Sequence, residues 1–118
     1  MKRRVMIVDD VADIRLMLRY IIEKGEYTIV AEAANGVEAV EKYREHLPDI
    51  TIMDIDMPFK NGVEAAREIR SFADSARIIF CSGGVSQYES CPPELEIDGH
   101  SLIRKPFLPA QLYQALEA

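Results

Sequence analysis

Apolar residues along the chain fall into two kinds of pattern. Val5 to Val8, Ile50 to Met53, Ile78 to Cys81 and the shorter Leu102 to Ile103 are mostly β-branched runs without period-2 alternation. A strand buried on both faces has no polar side to show, so these runs predict strands inside a parallel sheet. Tyr27 to Ala33 is more mixed, with Thr28 and Glu32 among apolar neighbours, and predicts an edge strand. Between the runs the period becomes helical. Ile14, Leu18, Ile21 and Ile22 share one face while Arg15, Arg19 and Glu23 point away, and Gly25 is placed to end that helix. The pentapeptide Asn-Gly-Val-Glu-Ala occurs twice, at Asn35 to Ala39 and Asn61 to Ala65. Each copy has Glu three residues after Asn, a variant of the capping box, so a helix is expected to begin at each. A last helix, Pro109 to Leu116, opens with proline in its first turn.

This alternation predicts an α/β fold: a doubly wound, five-stranded parallel sheet with right-handed crossovers and helices on both faces. The stretch between the fourth and fifth strands is the weak part. Pro92 and Pro93 stand where a helix would run, which confines it to about Val85 to Ser90 and makes it short or irregular. The 118 residues fit one domain, 1–118.

Composition narrows the class. With 48% hydrophobic and 29% charged residues the chain can bury a real core. Fourteen Lys and Arg against twenty Asp and Glu give a net charge of −6, which argues against direct nucleic-acid binding through phosphate neutralisation. No apolar run is long enough to span a bilayer, and Met1 to Val5 lead straight toward Asp9 and Asp10, unlike a signal peptide. Two cysteines make neither a disulfide framework nor a zinc site. A reduced, cytoplasmic protein with no membrane partner is expected.

Polar residues follow the apolar runs: Asp9 and Asp10 the first, Asp54 the third strand, Ser82 the fourth, Lys105 the fifth. In a parallel sheet all these ends share one edge, where ligands of open α/β sheets bind. Three crowded carboxylates repel, and a divalent cation relieves them. Oxygen donors alone select a hard ion, and Mg2+ with a phosphate suits one or two carboxylates plus water. Asp54 can then act as nucleophile toward phosphorus, with Lys105 as a point charge and Ser82 as hydroxyl donor. On this reading the Lys105 ammonium gains a strong partner only when a phosphoryl group arrives, and it couples phosphorylation to conformation more than it supports folding.

The set Asp9-Asp10, Asp54 with Met57-Pro58 and Asn61-Gly62, Ser82-Gly83, and Lys105-Pro106-Phe107 resembles the receiver domain of bacterial two-component response regulators, particularly the single-domain chemotaxis type. The resemblance spans nearly the whole chain. It implies the flavodoxin-like strand order 2-1-3-4-5. It also implies a phosphorylation-controlled switch with Asp54 as phosphoacceptor. Asp10 then binds Mg2+ directly, Asp9 through water, and Asp56 through its backbone carbonyl. Ile55 and Gly83 contact the phosphoryl group through their backbone, Lys105 and Ser82 sense it, and the bond before Pro106 is often cis. The implied donor is a histidine kinase or phosphotransfer protein, the output an unidentified protein partner, and the chain a monomer with no enzymatic role beyond its own phosphorylation and dephosphorylation. Leu102, Pro106 and Tyr113 fall on the switch and output surface. There the chain departs from the family, which usually carries Tyr or Phe three residues before the lysine where this one has Leu102.

Plainer roles suit other residues. The Asp56 side chain reads as solvated, Cys81 as a small core residue, Cys91 as a loop residue, and Tyr43 as helix–sheet packing. His46 and His100 have no partner at ligand spacing, so a phosphodonor histidine has to come from another protein. The same residues admit two other functions. Asp54-Ile55-Asp56 has the Asp-x-Asp form of haloacid-dehalogenase-like phosphatases, but those place the pair after the first strand of a longer chain. A receiver-like module that binds partners without phosphorylation is motivated by Leu102 and the irregular fourth crossover.

Overall fold

The chain runs β1 (Arg3–Val8), α1 (Ala12–Glu23), β2 (Tyr27–Ala33), α2 (Gly36–His46), β3 (Ile50–Asp54), α3 (Gly62–Phe72), β4 (Ile78–Gly83), β5 (Leu102–Lys105) and α4 (Pro109–Glu117). These elements come from a computed structural model that describes residues 2–83 and 102–117. The helix expected near Val85 to Ser90, with Cys91, Pro92, Pro93 and His100, lies outside the described residues. All strand pairs are parallel, in the order β2-β1-β3-β4-β5, so β2 is an edge strand as its mixed polarity predicts. Among the described residues no helix is long and apolar enough to cross a membrane.

Alternation along the strands builds two cores. Met6 and Val8 face one side of β1, with Met53 and Phe80 from β3 and β4, under Ala39, Val40 and Tyr43 of α2 and Val63, Ala66 and Ile69 of α3. Val5 and Ile7 face the other side with Ile52, Ile79 and Cys81, under Leu18 and Ile22 of α1 and Leu112, Ala115 and Leu116 of α4. Strand β2 serves both layers because of a bulge. Val5 pairs with Ile29 and Met6 with Ala31, so Val30 is an extra residue, and Ile29 and Ala31 turn to opposite cores.

The repeated pentapeptide does what its capping pattern predicts. Asn35 Oδ1 accepts from the Glu38 amide at 2.9 Å, and Asn61 Oδ1 from the Glu64 amide at 2.9 Å. At Asn61 the box closes, with Glu64 accepting from the Asn61 amide, whereas Glu38 accepts from Ala34 instead. The glycines are there for closeness. A Cβ on Gly62 would collide with the Asp54 carbonyl and one on Gly36 with the Lys60 carbonyl, to which the Gly36 amide donates at 3.0 Å. The two turns are thus bonded to each other. Gly25 follows the end of α1 as expected, but its need is also steric: a Cβ would press on the Tyr27 and Tyr113 rings at 3.1 Å. Leu47 ends α2 in the left-handed region at φ 45°, and Arg4 donates to the His46 and Leu47 carbonyls.

Candidate functional site

Five of the residues singled out from sequence come to the carboxyl edge of the sheet. Asp9 immediately follows β1, Asp10 is next to it, Asp54 ends β3, and Gly83 and Lys105 end β4 and β5 side by side in register. One carboxylate oxygen from each of Asp9, Asp10 and Asp54 lies within 4.8 Å of the other two. The Lys105 ammonium is 2.7 Å from Asp9 Oδ2 and 3.7 Å from Asp54 Oδ1.

Asp9 is the most constrained of the three. Its amide donates to the Ala33 carbonyl at 3.1 Å, its Oδ1 accepts from the Val11 amide at 3.0 Å, and its Oδ2 holds Lys105. Its carbonyl accepts from Arg15 Nη1 at 2.6 Å. With 1% of its surface exposed, this aspartate has every polar group engaged. Asp10 by contrast is exposed. Asp54 is buried at 7% exposure, and burial is the main reason its carboxyl is pushed up to about 7. Lys105 opposes that rise, while the charges of Asp9, Asp10 and Asp56 add to it. For Lys105, burial disfavours the ammonium, yet the hydrogen bond from Asp9 and the charges of Asp54 and Asp9 outweigh it and raise its pKa.

This donor set fits a hard dication. It consists of oxygens and carries more negative charge than Lys105 neutralises, and the neighbouring carboxylates add to the rise that burial imposes on Asp54. With the charge shielded, Asp54 has what a nucleophile needs: ionisation, an end-of-strand position and a cation beside it.

The other expected residues are placed as follows. Ser82 lies in β4 in register with Arg104. The Ile55 amide donates to the Cys81 carbonyl at 3.2 Å, which fixes the backbone just past Asp54, and Asp56 is exposed as expected. Cys81 is buried with its thiol pushed up to about 12 by burial, an unreactive core residue. The Lys105–Pro106 peptide bond is cis. Leu102 and Tyr113 are not brought together. Leu102 packs on the layer of α2 and α3, and Tyr113 on that of α1 and α4, where its hydroxyl donates to the Ile21 carbonyl.

One expectation needs correction. Lys105 has its strong partner without any phosphoryl group, because Asp9 carries a buried charge that must be matched. Arg15 and Arg19 lie off the apolar face of α1 as expected, yet both reach Glu32 of β2. Arg15 Nε lies 3.4 Å from Glu32 Oε1, and Arg19 makes two hydrogen bonds to Glu32 Oε2, at 2.9 and 2.6 Å. Helical periodicity missed them because a long guanidinium on the polar side of a helix can still reach back over its first turn to a neighbouring strand.

Comparison with known proteins gives a consistent picture. Residues 5–117 match the response regulator receiver domain family. The chain is 45% identical over 116 residues to the chemotaxis protein CheY of Thermotoga maritima, covering 98% of this chain and 96% of that protein. It is 40% identical to the chemotaxis protein CheY of Bacillus subtilis, with coverage of 98% and 96%. Among solved structures it resembles the CheX-CheY-BeF3-Mg+2 complex from Borrelia burgdorferi, with a TM-score of 0.85, 32% identity, and coverage of 97% of this chain and 86% of that one.

Proposed function

The chain belongs to the response regulator receiver domain family, and from that premise we propose that Asp54 accepts a phosphoryl group from a histidine kinase or phosphotransfer protein and that the chain then changes its affinity for a protein partner. Its place in the family makes it a signalling domain rather than an enzyme acting on a small substrate. The observation that carries the proposal is the convergence of Asp9, Asp10 and Asp54 oxygens within 4.8 Å beside the Lys105 ammonium.

In this reading an Asp54 oxygen attacks phosphorus, the bond from phosphorus to the donor breaks, and an acyl phosphate forms on Asp54. Asp10, Asp54 and the Asp56 backbone carbonyl would hold Mg2+, with Asp9 assisting through water. Bound there, the ion supplies charge shielding for the carboxylates and orientation of the phosphoryl oxygens. Lys105 shifts its ammonium from Asp9 toward the phosphoryl oxygens, the Ser82 hydroxyl donates to them, and the backbone of Ile55 and Gly83 contacts them. Leu102 and Pro106, flanking Lys105 on and just past β5, carry the change toward the output surface. Tyr113 contributes by tying α4 to the Ile21 carbonyl of α1. A monomeric cytoplasmic protein fits this role.

Incubation with acetyl phosphate and Mg2+ is expected to add one phosphoryl mass, absent in Asp54→Asn and without added metal. Unchanged modification of Asp54→Asn would remove Asp54 from the role.

A further inference from the structure

We propose that Arg15 is a positioning residue for the metal site, acting through the Asp9 carbonyl and held in place by Glu32. The inference rests on the reading that the aspartate cluster takes Mg2+. Arg15 Nη1 donates to the Asp9 carbonyl at 2.6 Å, and that carbonyl belongs to the peptide unit joining Asp9 to Asp10. Fixing it therefore orients the backbone from which the exposed Asp10 projects. Asp9 itself is anchored to β2 by the hydrogen bond its amide donates to the Ala33 carbonyl, one residue past Glu32.

Glu32 is built as a node. Its carboxylate takes Arg15 at 3.4 Å and Arg19 at 2.6 Å, and its carbonyl accepts from Lys42 Nζ at 2.5 Å. Residues of α1 and α2 thus converge on one position of β2, and the Arg15 end of that convergence reaches the acidic cluster. A surface ion pair formed only for solubility would not need a guanidinium left 21% exposed and bonded to a main-chain carbonyl six residues back. Groups that orient metal ligands from behind typically change metal affinity 10- to 100-fold when removed.

The sign of the effect separates positioning from plain electrostatics. Removing a positive charge beside a cation site should tighten Mg2+ binding by Coulomb's law alone. If Arg15 positions Asp9 and Asp10, Arg15→Ala instead weakens it. Mg2+ titration of the full chain, followed by amide chemical shifts, is expected to give an affinity about tenfold weaker for Arg15→Ala than for wild type. Arg15→Lys, which keeps the charge and one donor but not the fork, is expected to lie between them. Glu32→Gln is expected to weaken binding in the wild-type background and to add little in Arg15→Ala, as for partners in one network. Equal or tighter Mg2+ binding by a folded Arg15→Ala would overturn the proposal, as would Arg15→Lys binding no better than Arg15→Ala. Wild-type protein that fails to bind Mg2+ at all would instead overturn the reading of the cluster on which the proposal rests.

Discussion

Lys105 sits a full ångström closer to Asp9 than to Asp54, 2.7 against 3.7 Å. The residue expected to answer a phosphoryl group thus already neutralises a fully buried carboxylate. Lys105→Met should strand the Asp9 charge and destabilise the metal-free protein by roughly 3 kcal/mol, the scale for breaking one side of a buried pair. Urea denaturation at neutral pH measures it, and a loss below about 1 kcal/mol would show that the pair contributes no more than a surface one.

Asp54 gives the stability a definite pH dependence. Its carboxyl titrates at about 7 in the fold against 3.8 unperturbed, so between those values the folded chain holds a proton that the unfolded chain has lost. Stability then falls as pH rises through that window and levels off above about 7. In metal-free buffer Asp54→Asn should melt higher than wild type at pH 8, and the difference should shrink steadily toward pH 4. A constant difference across that range would mean that Asp54 titrates normally.

The two close-approach glycines should be intolerant of a single methyl group. Gly62→Ala forces the start of α3 against the Asp54 carbonyl, and Gly36→Ala forces that of α2 against the Lys60 carbonyl. Both obstacles are backbone, so each substitution should cost about 3 kcal/mol or more in chemical denaturation, at the upper end of overpacking effects. A cost near that of an ordinary surface change would imply that these turns relax freely.

Much of this arrangement was legible in the residues. Buried strands announce themselves as runs without alternation, and the Asn and Glu of the pentapeptide carry their caps with them, so strands, two helix starts and the sheet edge that gathers Asp9, Asp10, Asp54 and Lys105 could be read directly. What could not be read depends on distance across the fold. The Val30 bulge arises from pairing β1 against β2, the Arg15 bond to Asp9 from the rotamer of a flexible side chain, and the separation of Leu102 from Tyr113 from the face each element turns to the sheet. Periodicity fixes which residues share a face of one element, not which partner that face meets.

Leu47 offers a gain. It holds a left-handed conformation that a β-carbon disfavours, and the residue is 61% exposed with little packing to lose. Leu47→Gly should therefore raise stability by about 1 kcal/mol, seen as a higher denaturation midpoint at unchanged slope. A lower midpoint would show that the isobutyl group packs better than its exposure suggests.

The strand order has a consequence for how charge is distributed along the chain. From β1 outward, β2 lies on one side and β3, β4 and β5 follow in chain order on the other, so β5 is the far edge. The three aspartates of the cluster are carried by or follow β1 and β3, while the lysine that matches the buried Asp9 charge rides on β5. The acidic cluster is thus encoded ahead of the ammonium that balances it. Charge balance at the carboxyl edge is therefore completed by the strand farthest from β1 in both sequence and sheet.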